Sequence, residues 1–187
     1  KNLGVGGAVK TGYKKALQDK IEILIKIDGD GQMDPALIIN LIQPILKYKA
    51  DYTKGNRFFD LRYLQKMPTL RLVGNSGLSF ISKLTSGYWD IMDPTNGYTA
   101  IHAAALTKID LDKIEDRYFF ESDMLFRLAL VRAVVMDVPM AAHYGDEESN
   151  LNVTRVLIEF PIKYLTRFLK RIFYLYYLRD FNIASLE

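Results

Sequence analysis

Asp28 and Asp30 stand one residue apart in Asp28-Gly29-Asp30-Gly31-Gln32, directly after the run Ile21-Glu22-Ile23-Leu24-Ile25-Lys26-Ile27. Two carboxylates this close repel each other unless a cation lies between them. Their oxygens suit Mg2+ or Mn2+, and those ions in turn suit a phosphate-bearing substrate. The preceding run is apolar and β-branched, the pattern of a buried strand. In open α/β sheets, ligands bind just beyond the carboxyl ends of the strands, which is where this pair falls.

Two other loops fail on single residues. A calcium loop starting at Asp28 needs glycine at its sixth position and glutamate at its twelfth. The chain has Met33 and Ile39 there, and a strand where a helix should precede. Gly4-Val5-Gly6-Gly7-Ala8-Val9-Lys10-Thr11 misses the phosphate-binding loop because Val9 replaces the glycine before the lysine and no strand comes first. That segment reads instead as a glycine-rich helix entry. Asp34-Pro35 is a helix start, with aspartate as cap and proline in the first turn. A capped turn accounts for Asp34 but leaves Asp28 and Asp30 unexplained.

The elements that must position these residues alternate. The pattern predicts a helix over 8–18 and a strand over 21–28. A second helix follows, with Leu37, Ile38, Leu41, Ile42, Ile45 and Leu46 at helical spacing. Next come a strand over 50–58, helical character over 60–90 and the turn cluster Met92-Asp93-Pro94-Thr95-Asn96-Gly97. A strand over 98–105, a helix over 118–132 and a strand over 133–138 complete the series. Such alternation predicts an α/β fold with a mostly parallel sheet.

Composition narrows the function. The 187 residues suffice for one domain with a real core. There is no cysteine, hence no disulfide, thiolate site or cysteine nucleophile, which agrees with a reducing compartment. The chain starts without an apolar signal region, and no apolar run is long enough to span a bilayer. The net charge is +3, and from Arg155 onward six basic residues face three acidic ones, so the rest is neutral. That distribution argues against a nucleic-acid partner.

The basic tail has its own texture. Arg155, Glu159, Lys163, Arg167 and Arg171 recur every four residues, with Leu157, Leu165, Phe168, Leu169, Ile172 and Tyr176 on the other helical face. Pro161 is a candidate helix start. One reading is a basic amphipathic helix in a membrane headgroup layer. The other is a C-terminal helix packed on the domain with its charges exposed. The expected division is 1–153 for the domain and 154–187 for the tail.

Several motifs together resemble one family. They are Asn2-Leu3-Gly4-Val5-Gly6-Gly7-Ala8 with Gly12-Tyr13, then Asp28 to Pro35, Asp51-Tyr52, and Lys54-Gly55-Asn56-Arg57. Arg71 with Asn75 and Asp93-Pro94-Thr95-Asn96-Gly97-Tyr98 follow. In that order, over roughly the first 140 residues, they resemble the family 2 glycosyltransferases, and among them the dolichol-phosphate mannose synthase-like enzymes. The resemblance implies a GT-A fold, a Rossmann-like nucleotide-sugar-binding sheet, here without the first strands that hold the base. It implies an inverting transfer from a nucleotide sugar to a polyprenyl-phosphate or saccharide acceptor, at the cytoplasmic face of a membrane.

The resemblance also assigns residues. Asp28 and Asp30 hold Mg2+ or Mn2+ and through it the donor diphosphate, with Gln32, Gly4 and Gly7 on the donor side. Arg71 falls where lipid-phosphate-accepting relatives use a basic residue. Arg57, Asn75 and Gly97 join it on the acceptor side, although Arg71 also reads as a solvated helix charge. Asp93 precedes the turn that approaches the reaction centre. Glu121 and Asp123 match the acidic pair that supplies a base to inverting members, or merely favour a helix N-terminus. A sugar hydroxyl needs such a base and a phosphate does not. After Pro139 the chain departs from the family, with the acidic loop His143-Tyr144-Gly145-Asp146-Glu147-Glu148-Ser149, in which His143 is a candidate diphosphate contact. The rival classes are a membrane-associated binding module and a phosphotransferase forming an aspartyl-phosphate.

Overall fold

A computed structural model describes residues 2–59, 69–140 and 153–180. Helix α1 (Gly4–Gln18) leads into strand β1 (Ile23–Lys26), then a 3-10 turn (Pro35–Leu37) and α2 (Ile38–Leu46). Strand β2 (Tyr52–Asn56) precedes α3 (Thr69–Ser86), which leads to β3 (Thr99–His102). A single turn α4 (Ala103–Leu106), a 3-10 turn (Leu111–Lys113) and α5 (Phe120–Leu130) precede β4 (Val135–Pro139). The tail is α6 (Val153–Ile172), continued by a π-helical segment (Phe173–Arg179).

Local sequence accounts for the boundaries. The glycines at the start join α1 instead of preceding it. Asp34 caps the first 3-10 turn, accepting from the Ala36 N–H at 2.9 Å. The strand expected over 98–105 ends at His102, whose Nδ1 accepts from the Ala104 N–H at 3.1 Å and starts α4. Pro161 lies inside α6, not at its start.

The sheet order is β1-β3-β2-β4. Strand β3 runs antiparallel to β1 and β2, and only β2 and β4 run parallel. The α/β class stands, but the sheet is mixed where a mostly parallel one was expected. Alternation counts elements without giving their direction. Here the 93–97 turn lies at the carboxyl ends of β1 and β2, so β3 starts there and runs back.

Helices cover both faces of the sheet. Leu24, Tyr52 and Ile101 pack with Tyr13 of α1 and with Phe120, Met124 and Leu128 of α5. On the other face Ala100, Tyr98 and Val138 pack with Leu41 and Ile45 of α2. This split follows the two-residue period of strands. At the end of the first face the apolar row gives way to a polar one. Lys26 is opposite Thr99, Thr99 opposite Lys54, and Lys54 opposite Asp137.

Candidate functional site

The polar row ends beneath a cleft of about 110 Å³, lined by Asp28, Asp30, Gln32, Arg57, Thr95 and Gly97, with Met33, Asn96 and Met140. Four segments converge on it: the loop after β1, the end of β2, the 93–97 turn and Met140 just after β4. Asp28 is about one-third exposed. Asp30 is exposed, and its Oδ1 accepts from the Gln32 N–H at 3.0 Å, which holds the loop.

Strand β1 supplies a cation of the protein's own to Asp28. Lys26 is buried, and its Nζ donates to Asp28 Oδ1 at 2.9 Å, to Glu121 Oε1 at 3.2 Å and to the Gly97 carbonyl at 3.2 Å. Its three N–H groups therefore tie β1, the turn and α5 together. A β-carbon on Gly97 would collide with the Asp28 carboxylate and the Lys26 amine, so only glycine passes there unchanged. In the sequence Lys26 reads as part of an apolar run. The available signal was its strand position, two residues before Asp28 and on the same face.

Strand β2 fixes the turn. Lys54, fully buried, donates to the Asn96 carbonyl. Burial pushes its amine down to about 8, opposed by the nearby Glu121 and Asp93 carboxylates. Asn96 donates to the Gly55 carbonyl at 2.8 Å and accepts from the Tyr98 N–H at 3.0 Å. Arg57 grips Asp93 with two bonds, Nε to Oδ2 at 2.7 Å and Nη2 to Oδ1 at 3.0 Å. Behind the turn, burial raises Asp137 to about 6 while the Met92 N–H donates to it at 2.7 Å.

The structure sorts the sequence candidates. Asp28, Asp30, Gln32, Arg57 and Gly97 meet at the cleft. Asp93 lies under it, wholly buried, with both carboxylate oxygens on Arg57. Glu121 reaches the same centre through Lys26. Asp123 does not. It is wholly buried in another network, accepting from the Glu115 N–H at 3.1 Å and from Arg127 and Arg167, each at 2.8 Å. Gly4 and Gly7 also lie elsewhere: side chains there would meet the Asp116 carbonyl and Leu3, so these glycines serve helix packing. Asn75 is half-buried on α3 and is not among the residues lining the cleft. The Arg71 side chain and His143 lie outside the described residues.

The tail faces the opposite way from expectation. Lys163 and Arg167 pair with Glu115 at 2.7 and 2.8 Å, and Arg171 donates to the carbonyls of Leu84 and Thr85. Tyr164 is buried, shares a 2.7 Å hydrogen bond with Ser122 and packs edge-on to Phe119. Lys163, Arg167 and Arg171 therefore point inward, while Leu165, Leu169 and Phe173 are exposed. Four buried or half-buried acceptors on the domain, Glu115, Asp123 and the Leu84 and Thr85 carbonyls, capture these cations, and helical periodicity in the tail alone contains no record of them.

The cleft's donor set fits a divalent ion. Asp28 and Asp30 offer hard oxygens on one side of an open cleft, and Mg2+ or Mn2+ held by one or two carboxylates takes its remaining ligands from phosphates and water. Among the described residues no group of three acidic or histidine side chains forms a complete cage.

Comparison with known proteins bears on the family and the fold. The model of the family described as "Glycosyl transferase family 2" matches residues 1–110. The chain is 36% identical to the UDP-N-acetylglucosamine–dolichyl-phosphate N-acetylglucosaminyltransferase of Methanococcus voltae, over 90% of this chain and 66% of that one. It is 31% identical to the undecaprenyl-phosphate mannosyltransferase of Micrococcus luteus, over 73% of this chain and 56% of that one. The chain thus spans roughly two thirds or less of these relatives. Its fold is similar to that of glucosyl-3-phosphoglycerate synthase from Mycobacterium tuberculosis in complex with Mn2+, UDP-glucose and phosphoglyceric acid. That similarity has a TM-score of 0.60 at 16% identity, covering 90% of this chain and 54% of that one.

Proposed function

Because the chain belongs to glycosyl transferase family 2, we propose that it moves a sugar from a nucleotide-sugar donor to a polyprenyl phosphate at the cytoplasmic face of a membrane. Asp28 and Asp30 hold a divalent ion against the donor diphosphate, and Gln32 keeps their loop in place. When bound, that ion offsets the charge that develops on the departing nucleoside diphosphate. Lys26 fixes Asp28 against Gly97, and the Arg57–Asp93 pair fixes the turn that forms the cleft wall. Arg71 is assigned to the acceptor phosphate.

The acceptor choice rests on one observation. Of the three carboxylates singled out as catalytic candidates, Asp93 and Asp123 have both oxygens engaged by cationic or backbone N–H groups, and Glu121 has one on Lys26. A hydroxyl acceptor needs an open base, whereas a phosphate arrives ionised. The relatives named for dolichyl and undecaprenyl phosphates support the same reading.

The test uses the full-length protein with Mn2+ or Mg2+, a panel of nucleotide sugars, and either a polyprenyl phosphate or a free saccharide. Transfer goes to the phosphate, stops with a chelator and falls by roughly 10²-fold or more in Asp30→Ala. Transfer that survives both the chelator and the substitution sinks the metal assignment. Transfer to the saccharide alone sinks the acceptor assignment.

A further inference from the structure

The tail borders a second cavity, far from the aspartate loop in sequence. Its volume is about 610 Å³, and it lies between the 3-10 turn at Leu111–Lys113, the C-terminal half of α5 and the tail. Six cations line it: Lys108, Lys113, Arg127, Arg167, Lys170 and Arg179. Asp110 pairs with Lys113, while Asp123 and Glu115 take Arg127 and Arg167. Lys108 and Lys170 form no ion pair among the described residues. Positive charge is therefore in surplus around a space large enough for a phosphate-bearing group.

A different observation concerns the same element. Leu165, Leu169, Phe173 and Tyr177 recur every four residues, and each is about half exposed. Phe173 stacks on Tyr177 with ring centroids 6.1 Å apart and touches Tyr174 edge-on at 6.4 Å. Tyr174 also lines the cationic cavity, so the apolar stripe and the cavity share a border.

We infer that this face rests on a bilayer containing anionic phospholipid. The cavity takes a phosphate headgroup, and the Leu165–Tyr177 stripe enters the layer between headgroups and acyl chains. The inference rests on the lipid-phosphate reading above and specifies which surface meets the membrane. Cations beside exposed aromatic and aliphatic side chains are the composition of an element lying in that layer. Tyrosine suits the boundary, with an apolar ring and a polar tip. A second copy of the chain is the poorer occupant, because two-fold pairing through this face would set like charges against each other.

Flotation of the full-length protein with phosphatidylcholine vesicles, with and without phosphatidylglycerol, tests the assignment. The protein binds the anionic vesicles, and Lys108→Glu with Lys170→Glu weakens that binding roughly 30-fold. Phe173→Ser with Tyr177→Ser weakens it as well. Both double variants transfer sugar to a short, water-soluble isoprenyl phosphate as the parent does. Equal binding to neutral vesicles overturns the headgroup role. Binding of free glycerol phosphate as tight as that of vesicles also overturns it, by making the cavity a soluble-anion site. Lipid-free dimerisation abolished by Phe173→Ser assigns the stripe to a second copy. Transfer without vesicle binding removes this inference and leaves the proposed reaction standing, whereas vesicle binding without any transfer does the reverse.

Discussion

Asp28-Gly29-Asp30 and Glu121-Ser122-Asp123 have the same spacing, two acids one residue apart, yet they have opposite structural outcomes. The first pair sits in a loop, and both carboxylates reach one cleft. The second sits in α5, where two residues turn the chain by about 200°. Glu121 therefore faces Lys26 and the cleft, while Asp123 faces Arg127 and, across the domain, Arg167 of the tail. Spacing indicates shared chemistry only once the element that carries it is known. The cations differ too. Lysine from the adjacent strand partners the partly exposed Asp28, whereas two arginines saturate the wholly buried Asp123.

The largest expected effect separates these pairs by stability. Asp123→Ala leaves the Arg127 and Arg167 guanidiniums without their shared partner in a mostly buried site, and costs about 3–5 kcal/mol. Asp30→Ala, in an exposed loop, is expected to change stability by less than about 0.5 kcal/mol while transfer falls as proposed above. Urea denaturation of both variants measures the contrast. Equal losses at the two positions would break the comparison.

A somewhat smaller effect concerns Lys54, behind Glu121 and Asp93. Its amine has fallen from the ordinary 10.5 to about 8, chiefly through burial. Below pH 8 both folded and unfolded chains hold that proton, and the cost of burying the charge is constant. Between pH 8 and 10.5 the unfolded chain holds a proton that the folded one has released, so this lysine's contribution to stability rises with pH across that window. The rise amounts to about 3 kcal/mol. It appears as the difference between the parent and Lys54→Met in denaturation midpoints at pH 7, 8.5 and 10. Parallel curves would place the Lys54 charge in a better-solvated setting than its burial indicates.

Much of this was legible in the residues. The Asp28–Asp30 loop, the passage of Gly97 close to it and the helical start at Asp34 follow from local chemistry, and the cleft unites them. What sequence could not supply were partners brought from afar. Lys26 reads as one polar residue in a strand until Glu121 and Gly97 arrive at its amine. Arg57 and Asp93, both singled out as site residues, turn out to spend their charges largely on each other. The tail's basic stripe reads as solvent-facing because Glu115 and Asp123 lie more than thirty residues upstream. Strand direction was hidden for a similar reason, since it depends on where the 93–97 turn lands.

Glu121→Gln has the smallest expected effect and bears most directly on the acceptor. Glutamine keeps the length of the side chain and an oxygen that can still accept from Lys26. If the acceptor is a phosphate, Glu121 acts only through Lys26 and Asp28. The variant then loses less than about tenfold in kcat/KM, and its pH profile matches the parent's, because a positioning contact is weakened and no proton transfer is removed. If Glu121 instead takes a proton from a hydroxyl through its second oxygen, the loss reaches roughly 10²- to 10⁴-fold and the alkaline-rising limb of the profile disappears. Asp123→Asn is the internal control. It removes a charge of the same sign from the same helix, two residues away, but acts on stability through Arg127 and Arg167. A Glu121 variant that lost activity by unfolding would resemble that control in its denaturation curve. One that lost a base would keep the parent's curve and change only its rate.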